Sequence, residues 1–242
     1  MSRTGAEGGA GRHEEPILGI PNGRALRVNI LLSTAFTAFF WAVYWTGDWV
    51  AGRAPHRFEV ALPIDMAIPF VPWTAVVYLT ITPLLWLAPF IFRSPSGLLP
   101  LVVTMSLEVA LAGVAFCLYP VALSFPSHNV EGAAGFVYRL ARHISLTYNC
   151  VPSLHVAFAV SAAWAYRRPL KGHWNILIML WTSAIIASTM LSHLHHVLDV
   201  ITGALLGVGA MAWVHPRVCS WVAHRAPPCV ARDGASCRRR SQ

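Results

Sequence analysis

Two stretches of the sequence carry residues whose types and spacing suit chemistry: "CVPSLHVA" (150–157) and "STMLSHLHHVLDVITG" (188–203). His195 and Asp199 stand at i and i+4, the spacing of neighbours on one helical face. A carboxylate one turn away holds the proton on one imidazole nitrogen and leaves the other lone pair outward, as a nucleophilic or general-base histidine requires. His155, forty residues earlier, is the complementary acid that gives its proton to a leaving oxygen. Pro152 and Ser153 suit a helix start with Ser153 near the cap, and the free N–H groups of such an end favour a phosphate beside His155.

Blander readings exist for each residue. A histidine at the end of an apolar helix often sits at a membrane interface, and a His-Asp pair often forms a simple structural hydrogen bond. A metal site built from His193, His195, His196 and Asp199 is a third reading. Its spacing argues against di-iron boxes, which repeat HxxHH or HxxxH several times, whereas this string is HLHH. No metal or other cofactor is therefore expected.

What must position these groups is a membrane bundle. Hydrophobic residues make up 56% of the 242 and charged ones 12%, with mean hydropathy +0.55. A soluble domain carries roughly 25% charged residues, so an integral membrane protein is the default. Residues 1–27 are polar and Gly-rich, show no signal-peptide pattern, and are expected to be disordered. Six apolar segments follow, at 28–49, 73–91, 98–119, 154–166, 174–194 and 197–214, separated at "GRAPHR", "RSPSG" and "RRPLKGH". The fourth is short and is expected to run past these limits, because a span takes about 20 residues. The expected domain is 28–214, followed by a disordered basic tail, 215–242.

Arginine placement sets the expected topology. With both termini cytoplasmic, fourteen of the eighteen Lys and Arg lie inside, leaving Arg53, Arg57, Arg139 and Arg142 outside. The net charge of +8 is then topology and anionic-lipid contact rather than a nucleic-acid patch. This topology brings His155 and the 188–203 cluster to the outer face of the cell membrane. Intramembrane ionisable groups are costly and usually face a cavity. Cys117 and Cys150 fall toward that side too and could pair, but nothing requires it and no disulfide framework is implied.

The paired stretches resemble the type 2 phosphatidic acid phosphatase superfamily, whose second and third motifs are PSGH and SRxxxxxHxxxD. The resemblance covers residues 28–214. It implies an all-α, six-span bundle of the phosphatidic acid phosphatase type 2/haloperoxidase kind that acts on a membrane lipid substrate. It implies His195 as a nucleophile that becomes phosphohistidine, Asp199 as its orienter and His155 as the acid-base residue, with Ser188 opening the third motif. Three departures stand out: PSLH replaces PSGH, Thr189 replaces the arginine of SR, and the first motif, KxxxxxxRP, is absent from the loop "YPVALSFPSHNVEG". These departures, and "LPIDMAIPFVPW", resemble the branch with inositol phosphorylceramide synthase and sphingomyelin synthase.

A phosphoryl group needs cationic clamps. Arg139 and Arg142, at i and i+3 on one helical face, are the expected replacements, with Ser153 and Ser188 as further substrate contacts. Glu108 falls mid-span and faces the interior as a structural pair or a proton path, while Asp65 is expected to cap the second helix. Three functional classes remain open: a lipid phosphotransferase or phosphatase, a catalytically silent lipid-binding or scaffold relative, and a vanadate haloperoxidase. The last is disfavoured because the chain lacks that site's cations.

Overall fold

The computed structural model describes residues 21–126, 128–170 and 172–225, and the helices and hydrogen bonds below refer to these. Lys171, residues 1–20 and residues 226–242 lie outside them, so the polar start and the end of the basic tail carry no structural account.

The described chain is helical throughout, with one isolated bridge between Phe58 and Val121. Helix α1, Gly23–Gly52, begins where Asn22 accepts the Ala25 N–H and runs for 30 residues, about 45 Å at 1.5 Å per residue. A short α2, Pro63–Ala67, leads to a broken span from Thr74 to Ile91 made of α3 (Thr74–Leu79), α4 (Ile81–Trp86) and α5 (Ala88–Ile91). The breaks follow from Pro83 and Pro89, each of which lacks an N–H and crowds the carbonyl four residues back. Side chains of neighbouring helices bond to other carbonyls of this broken span. Tyr166 donates to the Leu84 carbonyl at 2.9 Å, and Asn29 donates to those of Pro89 and Phe92 at 3.3 and 2.9 Å. Helix α6, Pro95–Leu118, starts at Ser94, whose hydroxyl accepts the Gly97 N–H. An amphipathic α7, Gly132–Ser145, buries Ala134, Tyr138, Ala141 and Ser145, spaced as one helical stripe. Then come α8 (Leu154–Tyr166), α9 (His173–Leu191) and α10 (Val197–Gly209), the last continuing through a π turn at Ala210–Val214 into α11 (His215–Arg225).

Five helical stretches are long and apolar enough to cross a membrane: Gly23–Gly52, Thr74–Ile91, Pro95–Leu118, His173–Leu191 and Val197–Arg225. Large apolar side chains such as Leu31, Trp86, Leu118, Leu180, Leu205 and Trp213 stand exposed on them, an arrangement stable in lipid and costly in water.

The sixth apolar helix departs from expectation. Helix α8 stops at 154–166 instead of running past it, and its 13 residues cover only about 20 Å. It needs no more length because it is the bundle's central helix, with ten of those residues buried. The expected tail is also revised at its start: residues 215–225 are helical, continuing α10 beyond the expected end at 214.

Helices α8 and α10 are held together by small residues. A Cβ added at Gly203 would lie 2.4 Å from the Ser153 carbonyl oxygen, and one at Gly207 would lie 2.8 Å from that of Ala157. This close approach, one turn apart, is the packing that small residues permit between helices in lipid. A second tie joins α6 to α8: the buried Glu108 accepts a 2.5 Å hydrogen bond from the Ser161 hydroxyl, so the structural pairing expected of Glu108 is present.

Gly203→Ala should therefore destabilise the bundle by about 1–3 kcal/mol, the usual cost of overpacking. Gly209→Ala, whose new Cβ meets only Trp213 at 3.4 Å, should be neutral or slightly stabilising. Thermal unfolding in detergent separates the two.

Candidate active site

The loop from Leu146 to Ser153 is pinned to α1 before it delivers α8. The Asp48 carboxylate accepts the N–H groups of Thr147 and Tyr148 at 3.0 and 2.9 Å, Tyr44 donates its hydroxyl to the Ser145 carbonyl at 2.5 Å, and Asn149 donates to the Tyr44 carbonyl at 2.6 Å. Ser153 then caps α8, its hydroxyl accepting the Val156 N–H at 3.5 Å. His155 follows in the first turn. Its ring stacks on that of Tyr78 of α3, with centroids 4.1 Å apart and planes 18° apart, and its Nδ1 lies 3.1 Å from the Tyr78 hydroxyl.

Helix α9 ends at Leu191, and a tight turn reaches α10. The Thr189 carbonyl accepts the N–H groups of both Leu194 and His195 at 3.1 Å, and His193 takes a left-handed φ of 53°. His195 thus lies in this turn, not on the helical face expected for it. Its meeting with Asp199 survives the change because His196 caps α10 and Asp199 is the third helical residue. The Asp199 Oδ2 reaches back to accept the His196 N–H at 2.9 Å and lies 3.2 Å from His195 Nδ1. His195 Nε2 is buried without a hydrogen-bond partner among the described residues.

Two backbone and side-chain links lock the pieces together. Ser153 donates its N–H to the Asp199 carbonyl at 3.1 Å, joining the starts of α8 and α10. Asp65 does not cap the second apolar span, as expected, but lies in the short α2 that precedes it. Its Oδ2 accepts the Leu62 N–H at 2.6 Å, closing α2, while its Oδ1 accepts the Val197 N–H at 2.7 Å. The buried carboxylate thereby fixes the start of α10, where the helix dipole favours negative charge.

His155 and His195 face each other with ring centroids 6.1 Å apart. Both line a cavity of about 290 Å³ whose other walls are mostly apolar: Phe36, Phe40 and Trp41 of α1, Leu85 of α4, Leu101 and Met105 of α6. Exposed Thr37 and Trp86 on its wall open it sideways, toward the lipid-facing surface, between α1 and α4.

The four expected substrate contacts fare differently, and none of them lines this cavity. Ser153 serves as the cap just described. The Ser188 hydroxyl is spent inside α9, donating to the Ile185 carbonyl at 2.7 Å. Arg139 is exposed and donates to the Val130 carbonyl at 2.8 Å. Arg142 is half-buried, and one of its terminal nitrogens is buried without a partner among the described residues. Burial first, then electrostatic repulsion from the neighbouring His193 and Arg142, holds the His128 imidazole below its ordinary range. Arg142 also offsets, in part, the burial that pushes the Cys150 thiol up. The two arginines thus differ in their surroundings: Arg139 is spent on a surface carbonyl, whereas Arg142 keeps a buried terminal nitrogen. Cys117 and Cys150 are unpaired, the first exposed and the second buried.

Three further histidines, His128, His193 and His196, lie beside this site. His193 Nε2 is 3.0 Å from the Ile68 carbonyl oxygen, its Nδ1 is 3.0 Å from His128 Nε2, and Phe125 stacks on both His193 and His196. Comparison with family models, curated proteins and solved structures finds no match for this chain.

Proposed function

We propose that the chain is a six-span membrane enzyme that attacks a lipid phosphate ester through His195, with transfer to a lipid hydroxyl favoured over hydrolysis. One observation carries this reading. The nitrogen of His195 opposite Asp199 is buried and unpartnered, and its ring shares an apolar cavity with His155. A buried polar atom without a partner is costly to leave so, and a reacting phosphorus beside it would give it a role. The apolar walls suit a hydrocarbon chain attached to that phosphate.

The chemistry follows from the arrangement. Asp199 holds the proton on His195 Nδ1, so Nε2 presents its lone pair to phosphorus. The Nε2–P bond forms as the bond to the leaving oxygen breaks, and His155 supplies that oxygen with a proton. The acceptor hydroxyl then attacks the phosphohistidine, losing its proton to His155 as the N–P bond breaks. The start of α8, whose Leu154 and His155 line the cavity, turns the positive end of that helix dipole toward the phosphate's charge. Arg142, one of whose terminal nitrogens is buried without a partner among the described residues, is the proposed cation for that charge. The likeness of "CVPSLHVA" and "STMLSHLHHVLDVITG" to the lipid phosphatase motifs, and of "LPID" to the sphingolipid synthase branch, supports both the class and the preference for transfer.

A catalytically silent, lipid-binding relative is the second reading. It is favoured by Thr189, which stands where an arginine would, with its hydroxyl on the Ile186 carbonyl.

The test uses purified protein in vesicles with labelled phosphatidic acid, lipid diphosphates, and phosphatidylinositol plus ceramide. Water-soluble and lipid products are read separately. Labelled lipid product is expected, free phosphate alone would favour the phosphatase, and no product from any substrate would favour the silent relative. With the active substrate, Arg142→Gln should lower turnover by on the order of 10²-fold, the scale of one lost electrostatic donor. Arg139→Gln should change it by no more than about threefold, as expected of an exposed surface group.

The site is proposed to face outward with both termini cytoplasmic, because the arginines concentrate on the opposite side of the bundle. In intact cells, an impermeant thiol reagent should label a cysteine introduced at Asn129 and miss one introduced at Trp221. The reverse labelling would invert the topology.

A further inference from the structure

The proposed reaction asks His155 to release a proton and later take one back at the same nitrogen, and nothing in the two sequence motifs says what holds its ring for that. We infer that Tyr78 is the positioning residue of His155, acting on it as Asp199 acts on His195. The inference rests on the reading of His155 as the acid-base group of a phosphoryl transfer.

Three observations carry it. The Tyr78 hydroxyl lies 3.1 Å from His155 Nδ1, and the two rings stack at 4.1 Å with an 18° angle between planes. Tyr78 is fully buried, so its hydroxyl meets the imidazole away from competing water. With Nδ1 occupied, Nε2 is the nitrogen left for the cavity that His155 and His195 share. The stack fixes the plane of the ring and the hydrogen bond fixes its rotation within that plane.

The choice of a phenol has chemical meaning. A carboxylate beside an imidazole favours the charged ring and holds its proton, which suits a nucleophile accumulating positive charge on forming a phosphohistidine. A phenol adds no charge. Its oxygen accepts from Nδ1–H in both the charged and the neutral ring, so the same hydrogen bond persists while the proton at Nε2 leaves and returns. In the first half-reaction that proton goes to the leaving oxygen as the P–O bond breaks and the N–P bond forms. In the second, the proton of the acceptor hydroxyl goes to Nε2 as the new P–O bond forms and the N–P bond breaks. Tyr78 exchanges no proton in either step.

The experiment compares the full-length chain with Tyr78→Phe, His155→Ala and the double variant on two esters of one phosphate: one with an alkyl leaving group, one with nitrophenol. Tyr78→Phe keeps the stacked ring and removes only the hydroxyl. It should lower kcat/KM on the alkyl ester by about tenfold, the scale of one neutral hydrogen bond. On the nitrophenyl ester, whose leaving oxygen needs no proton, the change should stay within about twofold. In the His155→Ala background, Tyr78→Phe should have no further effect. An equal loss on both esters, or a loss that persists without His155, would mean that Tyr78 merely packs the bundle, and would overturn the inference. If His155→Ala itself fails to discriminate between the esters, the acid-base reading of His155 falls, and the role of Tyr78 with it. A readout independent of turnover is the nitrogen NMR spectrum of histidine-labelled protein, with the His155 signals identified by their loss in His155→Ala. Tyr78→Phe should shift them, and unshifted signals would overturn the inference even if activity fell.

Discussion

A buried carboxylate at the start of a helix organises this end of the bundle. Asp199 is wholly buried, and an ion in that position is expensive unless it is surrounded by donors. Its Oδ2 meets that demand with the His196 N–H and the His195 ring, and the carboxylate sits at the positive end of α10. Its carbonyl meanwhile receives the Ser153 N–H. The same residue thus orients one histidine through its side chain and anchors the start of the other histidine's helix through its backbone. Gly203, one turn further on, lets α8 come close enough for that anchor to form.

The surrounding helices serve this junction in different ways. Asp65 holds the first turn of α10 from one side, and Asp48 with Tyr44 holds the approach to α8 from another. The broken span 74–91 places Tyr78 against His155, and residues of its α4 face those of α1 across the cavity. The cavity's walls are mostly apolar, with His155 and His195 as its ionisable lining. Such a shape matches an amphiphile whose reacting group is its head.

The parts legible in the sequence were those set by local spacing. The i, i+4 relation of His195 and Asp199 and the Pro-Ser break before His155 depend on only a few residues each, and both appear as geometry. Even there the local reading was imperfect: the contact arises from a capping arrangement across a turn, because Ser192 and His193 interrupt the helix. Tyr78 and Asp65 were out of reach as partners, since they lie 77 and 132 residues from the groups they hold. The arginines show an intermediate case. Their shared spacing suggested a shared role, yet Gly135 lets Arg139 fold back onto Val130 while Arg142 turns toward the core. The apolar stripe of Ala134, Tyr138 and Ala141 was the available signal for which side of α7 is buried. The extent of α8 is not legible in the sequence, because membrane thickness limits only helices that lipid must cover, and α8 is covered by protein.

The central claim is that His195 carries the phosphoryl group between donor and acceptor. Rapid-quench trapping with labelled substrate, kept alkaline because phosphohistidine is acid-labile, followed by peptide mapping, tests it most directly. The account expects transient label on His195 that forms and decays at rates compatible with turnover and vanishes in His195→Ala. Label on His196, or normal turnover by His195→Ala, would contradict it.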